Sequence, residues 1–180
     1  MTVSFGQLRS DVQAVLMARW FLRHADEVGT RVRLRGRPRV ENLGTLIVHD
    51  RVQLVSTVAM LEIATGPEGT LDIGSRTFVN YGTSISASQS VTIGANCQIG
   101  TYVIIMDNSF HRLEPERRHE RPPSQPIVLE DNVWLGARVI VMPGVTIGTG
   151  CAIGAGSVVT RDLPPRSLAA GVPARVLRTL

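Results

Sequence analysis

From residue 127 to the end of the regular region, aliphatic side chains return every six residues: Leu129, Leu135, Val141, Ile147, Ile153 and Val159, several of them followed by Gly. An amphipathic helix repeats apolar residues at steps of three and four, and a half-buried strand at steps of two. Six is a repeat signature of a parallel β-helix, in which each hexapeptide makes one flat side of a triangular coil and its aliphatic residue points into the prism. The beat is traceable upstream as Ile73, Val79 and Ile85, then after a slip of two residues as Ile93, Ile99 and Ile105. Four residues after many beat positions stands a second small or aliphatic residue: Cys97, Val103, Val133, Val139, Val145, Cys151 and Ser157. These are expected to fill the corners. The segment from Met106 to Pro126 is too charged and Pro-rich to enter a coil, so it is expected to leave the prism as one long excursion and return.

The expected class is therefore all-β, with an N-terminal helical cap over 1–27, coils over 28–162 interrupted by an excursion at about 106–126, and a C-terminal tail over 163–180. Ser4 and Gln7 have capping-box spacing, and Leu8, Val12, Val15, Leu16 and Trp20 follow a helical stripe that is expected to cover the open end of the core before Gly29 stops it. With 43% hydrophobic but only 4% aromatic residues, the core must consist of aliphatic layers. The two cysteines fall on inward corners, which favours free buried thiols in a reducing cytoplasm over a disulfide or a metal site. No leader segment or run of about 18 to 20 apolar residues appears, so a cytoplasmic location is expected.

All nineteen basic residues are arginine and the net charge is +4. Arg31, Arg33, Arg35, Arg37 and Arg39 alternate with other residues and would share one face of an extended chain. That face is either the solvated outside of an early coil or an anion-binding strip for a phosphate-bearing substrate, a membrane surface or nucleic acid. Nucleic acid is the weakest of these, because few aromatics and no recognition motif accompany the arginines. Trp20 and Phe21 among Arg19 and Arg23 also allow a peripheral membrane contact by the helix.

The stretch IVLEDNVWLGARVIVMPGVTIGTGCAIGAGSVVTR, Ile127 to Arg161, and the following AAGVPARV resemble the hexapeptide-repeat acyltransferases. FVNYGTSI at Phe78 to Ile85 and the preceding GPEGTLDIG are most similar to O-acetyltransferases of surface-polysaccharide synthesis, with galactoside and maltose acetyltransferases as more distant relatives. The resemblance implies a left-handed parallel β-helix, a homotrimer, and acetyl transfer from acetyl-coenzyme A to a hydroxyl, the acceptor being a sugar.

Such a transfer needs a base, because a neutral alcohol is a weak nucleophile. Of His24, His49, His111 and His119, the first two are expected at the surface. His111 opens the excursion where the family carries its base, while His119 lies among Arg117, Arg118, Glu120 and Arg121, which resemble a solvated loop tip. Asp107, Glu114 or a backbone carbonyl could hold the second imidazole nitrogen. By resemblance, Asn80, Trp134 and Asp107 contact the acceptor side. Gly136, Ala137 and Ala155 line the pantetheine path, Thr160, Arg161 and Arg178 lie toward the nucleotide, and an amide near Gly136 stabilises the oxyanion. Where the galactoside and maltose enzymes carry an acidic residue, this chain has Ala87. A zinc enzyme on the same coil would need three converging histidines, for which the spacing provides no third partner, so no metal is expected. An amino-group or xenobiotic acetyltransferase and a catalytically silent scaffold remain open.

Overall fold

The structure is a computed structural model that describes residues 5–180, with side chains from residue 10 onward. Its strands form three parallel sheets in which each strand pairs with the one three ahead, the pattern of a left-handed triangular β-helix. Two sheets have six strands. The third has eight, because residues beyond the last regular coil extend it.

The register stacks the aliphatic beat into three inward columns. On the first face Val28, Val48, Ile73, Ile93, Leu129 and Ile147 lie one above another; on the second, Leu34, Leu54, Val79, Ile99, Leu135, Ile153 and Ala169. Val40, Ile63, Ile85, Ile105, Val141 and Val159 form the third. Except for the half-buried Val28 and Val40 at the first coil, these side chains are essentially inaccessible. Burying each is worth roughly 1.5–3 kcal/mol, so the columns supply most of what holds the prism together. Cys97, Val103, Val133, Val139, Val145, Cys151 and Ser157 are buried at the corners as expected, and both thiols are free. Burial also pushes the Cys97 thiol up, away from reactivity.

Coils begin at Glu27, well upstream of the first beat visible in the sequence. Here the chain takes longer corners, with eight residues from Val40 to Val48, nine from Leu54 to Ile63 and ten from Ile63 to Ile73, so the period is lost while the stacking is kept. The excursion leaves after Met106 and returns at Ile127. Ile105 is on the third face and Leu129 on the first, so the loop is an enlarged corner rather than a lost coil.

Three expectations are corrected. The helix spans Phe5–Phe21 and ends before Gly29, and its inward side is Ala14, Ala18 and Leu22, with Met17 and Phe21 partly covered. Val12, Leu16 and Trp20 of the expected core stripe are 56–65% exposed. The small alanines permit closer approach to the strand Arg33–Gly36 than the large residues would, and Asp11 ties the contact through Arg33 (3.3 Å) and Arg35 (3.6 Å). The pair Ser4 and Gln7, and the side chain of Leu8, lie outside the described residues. Secondly, the five alternating arginines do not share a face, because the chain bends at Gly36 (φ +89°): Arg33 and Arg35 project from the second face, and Arg39 from the third beside Glu41. Thirdly, the C-terminal segment is not a tail. Ser167–Gly171 adds a parallel strand to the second face, and Ala174–Thr179 folds back antiparallel over it. This last strand covers an edge that would otherwise present unpaired backbone groups. No described helix is long and apolar enough to cross a membrane.

Two outcomes test this account. Ile99→Ala should lower unfolding free energy by about 2–5 kcal/mol in a urea titration, whereas Gln98→Ala, one residue away and facing out, should stay within about 0.5 kcal/mol. Asp26, Asp50 and Glu130 are held below their ordinary values by hydrogen bonds, chiefly from the Leu46 and Thr30 backbone N–H groups and the Thr149 side chain respectively. Depressed carboxylates stabilise the fold above their unfolded pKa and lose that contribution as pH falls through the folded value. Melting temperature should therefore drop below about pH 4, and less steeply in the Asp26→Asn/Asp50→Asn variant.

Candidate active site

The excursion is braced from its base outward. Asn108, almost fully buried, donates through Nδ2 to the Pro122 carbonyl (2.9 Å) and Ser124 Oγ (2.8 Å), while its Oδ1 accepts from the Phe110 N–H. Gln125 N–H donates to the Asp107 carbonyl. Glu120 receives two hydrogen bonds from Arg117, which hold its carboxyl below the usual range. It also forms an ion pair with Arg112, at 3.1 Å from Nε. Arg121 stacks over the Phe110 ring at 4.7 Å and donates to Ser88 Oγ, fastening the loop to the coil. The charged residues read as a solvated tip are thus, in part, its internal clamps.

His111 sits exposed on this braced loop, with Nδ1 2.9 Å from the Arg118 carbonyl oxygen. A carbonyl only accepts, so Nδ1 carries the proton and Nε2 keeps its lone pair. Of the alternatives for the orienting group, the backbone carbonyl is the one realised. Asp107 is fully buried, and its two oxygens accept the N–H groups of Ser88 (2.8 Å), Gln89 (2.6 Å) and Ser90 (2.8 Å). It pins the widened corner before Ser90–Ile93 and has no surface left for His111 or for an acceptor, which corrects its assignment as a substrate contact. His119 is exposed. His24 is also exposed, and His49 pairs with Asp72 at 3.0 Å, far along the chain from the loop.

Next to the loop, the third face carries a small groove lined by Glu62, Ser84, Ser86, Met106 and Phe110 among others. Its end is formed by Phe110, the residue before His111. Ala87 is buried, so the departure from the acidic pattern falls on an inward side chain, and the neighbouring Ser88 is the one that meets Arg121.

Asn80, Trp134, Gly136, Ala137 and Ala155 gather on the second face and its corner with the third. Trp134 lies in a column between Gln98 and Ala152 and is 58% exposed. Asn80 follows the strand Phe78–Val79, with Oδ1 accepting from the Tyr81 N–H and its amide nitrogen without a partner among the described residues. The N–H of Gly136 itself donates to the Ile153 carbonyl at 2.8 Å, so an oxyanion donor near Gly136 has to be a neighbouring amide. A Cβ there would stand 2.7 Å from Ala155 N, so the coil itself requires the glycine. The N–H groups of Ala137 and Ala155, one residue further along successive coils, have no acceptor among the described residues. Beside them a Cβ on Gly156 would meet open space. These two free donors, one coil apart on a flat wall, are what an extended chain of amides and carbonyls can use. Thr160 and Arg161 follow Val159 at the far end of the third face, at its corner with the first, the corner from which the excursion leaves in an earlier coil. Arg178, opposite Leu168, lies on the second face.

The sequence reading missed a stack on the corner between the second and third faces. Tyr81 and Tyr102 meet edge to face at 5.8 Å, and the Arg138 guanidinium lies 5.4 Å from the Tyr102 ring centre. Tyr102 (φ +56°) and Arg138 (φ +60°) occupy the left-handed position that Gly82 and Gly156 take in neighbouring coils. Aligning the six-residue beats column by column would have exposed this.

One chain does not bring all of these together. His111 belongs to the corner between the third and first faces, and Asn80, Trp134, Ala137 and Ala155 to the second face and its other corner. Among the described residues no three His, Cys, Asp or Glu side chains converge in a way that could hold a metal ion.

Residues 126–161 match the family described as bacterial transferase hexapeptide (six repeats). A Schizosaccharomyces pombe protein named "Putative acetyltransferase C18B11.09c" is 35% identical over 153 residues, 78% of this chain and 73% of that protein. Galactoside O-acetyltransferase of Escherichia coli is 40% identical over 110 residues, 61% of this chain; the match spans about half, 54%, of that enzyme's length. Among solved structures, a hexapeptide-repeat acetyltransferase from Vibrio cholerae complexed with acetyl-coenzyme A superposes with a TM-score of 0.67 and 26% identity, covering 99% of this chain and 91% of the other. With fold and sequence both shared, the chain belongs to the hexapeptide-repeat transferase family.

Proposed function

We propose that this protein moves an acetyl group from acetyl-coenzyme A to a hydroxyl of a sugar or sugar-containing acceptor, at a site shared by neighbouring subunits of a homotrimer. The observation that carries this reading is the His111 hydrogen bond to the Arg118 carbonyl, which fixes the tautomer that leaves Nε2 able to accept a proton. The name of the galactoside relative and the acetyl-coenzyme A in the Vibrio structure support donor and acceptor class.

In the proposed reaction His111 Nε2 takes the acceptor hydroxyl proton as that oxygen bonds to the thioester carbonyl carbon. When the carbon–sulfur bond breaks, the same Nε2–H returns the proton to the departing thiolate. A neutral hydroxyl is thereby made nucleophilic only as it attacks. The Ala137 N–H beside Gly136 and the Ala155 N–H are the donors available to pantetheine or to the developing oxyanion, and preorganised donors of this kind stabilise charge that appears in the transition state. Trp134 gives a flat apolar surface beside them. Thr160, Arg161 and Arg178 would contact the phosphates of coenzyme A, the two guanidinium forks being suited to bidentate contact. Asn80, with an amide nitrogen to spare, would hold the acceptor from the adjoining subunit. Asp107 has no part in this scheme beyond keeping the loop's base in place.

His111→Ala should lower kcat by about 10²–10⁴-fold with coenzyme A binding retained, and His119→Ala should leave both unchanged; full activity without the His111 imidazole would remove the base from the mechanism. Subunit sharing is tested by complementation. Chains carrying His111→Ala and chains carrying Asn80→Ala, each inactive alone, should regain up to about a quarter of wild-type activity when mixed randomly in closed trimers. No recovery in verified mixed trimers would place both residues in one chain's site.

A further inference from the structure

The corner between the first and second faces carries, coil after coil, one residue in the left-handed conformation: Arg31 (φ +57°), Arg51 (+61°), Arg76 (+62°), Asn96 (+58°), Asn132 (+58°), Gly150 (+70°) and Arg166 (+57°). Backbone hydrogen bonds from each to the coil before confirm the column, Arg51 N–H to Thr30, Arg76 to Asp50, Asn96 to Ser75, and so on to Arg166. Asn and Gly are the residues that adopt this conformation most readily, and for others it is strained. In the middle of the column the chain uses them. In its first three coils it uses arginine instead.

Arginine elsewhere at left-handed corners has a partner that accounts for it. Arg166 donates to the Leu180 carbonyl and Arg138 stacks on Tyr102. Arg31, Arg51 and Arg76 take part in none of the side-chain ion pairs, hydrogen bonds or ring contacts among the described residues. They line one shallow cleft of about 510 Å³ with Thr30, Asp50 and Ser75, and with Arg33 and Gln53 they line a second of about 360 Å³. Coils stack about 4.8 Å apart, so three like charges face one another at a spacing that is unfavourable without a counter-charge. Asp50, the one carboxylate lining these clefts, accepts the Thr30 N–H at 2.6 Å and sets a single negative charge near Arg51, which leaves the three guanidiniums with an excess of positive charge. Strained conformation, excess like charge and a common cleft coincide at three successive coils. Sites that retain such strain are ones where the side chain has a task.

We infer that the Arg31–Arg51–Arg76 corner is a binding site for a phosphate or diphosphate group. Guanidinium forks on adjacent coils suit the several oxygens of a diphosphate, each taking bidentate hydrogen bonds. The site is distinct from the acetyl-transfer residues: Arg161, Thr160 and Arg178 belong to the last coil and the closing strand, whereas this corner spans the first three coils. Arg76 stands two residues before the Phe78–Val79 strand, so the bound phosphate would border the face that carries Asn80. The inference does not require that Asn80 bind an acceptor.

The test is calorimetric titration of inorganic pyrophosphate into the full-length Arg161→Ala/Arg178→Ala protein, a background in which the last-coil arginines contribute nothing. Saturable binding is expected, and adding Arg51→Asn/Arg76→Asn should weaken it at least tenfold. Asn is what the same corner carries at 96 and 132, so melting temperature should hold or rise in that variant, separating loss of the site from loss of the fold. Absence of saturable binding, or equal binding by the Asn variant, would overturn the inference. Sedimentation with phosphatidylglycerol vesicles distinguishes the source of the phosphate. Vesicle binding that pyrophosphate displaces and Arg51→Asn/Arg76→Asn abolishes identifies a lipid headgroup. Pyrophosphate binding without vesicle binding identifies a soluble phosphate ester. Vesicle binding that pyrophosphate leaves untouched and that Trp20→Ala alone abolishes would assign the surface to the helix and overturn the arginine site.

Discussion

Everything in this molecule depends on parallel strands stacking in register with like aliphatic side chains above one another. Each inward residue is covered from above and below by its equivalents in adjacent coils and from the side by the other two columns, so no coil is stable without its neighbours. The same register that aligns the core also aligns everything outside it. A residue's outward neighbours are the residues one coil before and after, not those near it in sequence, which is why Trp134 lies between Gln98 and Ala152. Chemistry on such a surface is organised in columns. The free N–H groups of Ala137 and Ala155 fall on one column because the register of Gly136 and Gly154 leaves no choice.

The excursion shows how a rigid repeat acquires a reactive side chain. Inserting it at a corner interrupts no sheet pairing, since Ile105 still continues to Val141 on the third face and Ile93 to Leu129 on the first. The cost falls on the loop's base, where backbone groups would lack partners. Asp107 and Asn108 meet that cost, Asp107 by accepting three N–H groups of the widened corner and Asn108 by bridging the two loop strands. A buried carboxylate with three backbone donors is a structural anchor, and its position four residues before His111 is the reason the imidazole has a fixed place at all. The orienting partner is then a main-chain carbonyl, which no side-chain substitution removes.

The downstream coils were legible because their corners are two residues long and the beat is undisturbed. The upstream coils fall within the expected span 28–162 but are not resolved coil by coil, because corners of varied length erase the period while leaving the stacking intact; pairings such as Leu34 with Leu54, Val40 with Ile63 and Val48 with Ile73 define them. The helix was legible as a helix but not in its orientation. The large apolar stripe predicts the wrong buried side: Ala14 and Ala18 face inward because close approach to a flat sheet favours small side chains, and Asp11 holds the helix there through Arg33 and Arg35. His111 and Trp134 were found through resemblance, and their exposure agrees with roles outside the core. Asp107 escapes a sequence reading because composition and spacing do not tell which polar groups the fold has already satisfied.

A repeat fold also compares the chain with itself. Positions in one column share backbone conformation and neighbours, so a difference in residue type between coils isolates what the side chain is for. Where Asn or Gly fills a left-handed corner, shape alone explains it. Where Tyr102 and Arg138 do so, their mutual stacking supplies the compensation. Asn96 and Arg76 differ in neither backbone angle nor hydrogen-bonded partner position, and the arginine side chain has no hydrogen bond or ion pair among the described residues. The requirement it meets must therefore come from outside the coil, and three such arginines in succession make that outside partner an anion with more than one charge.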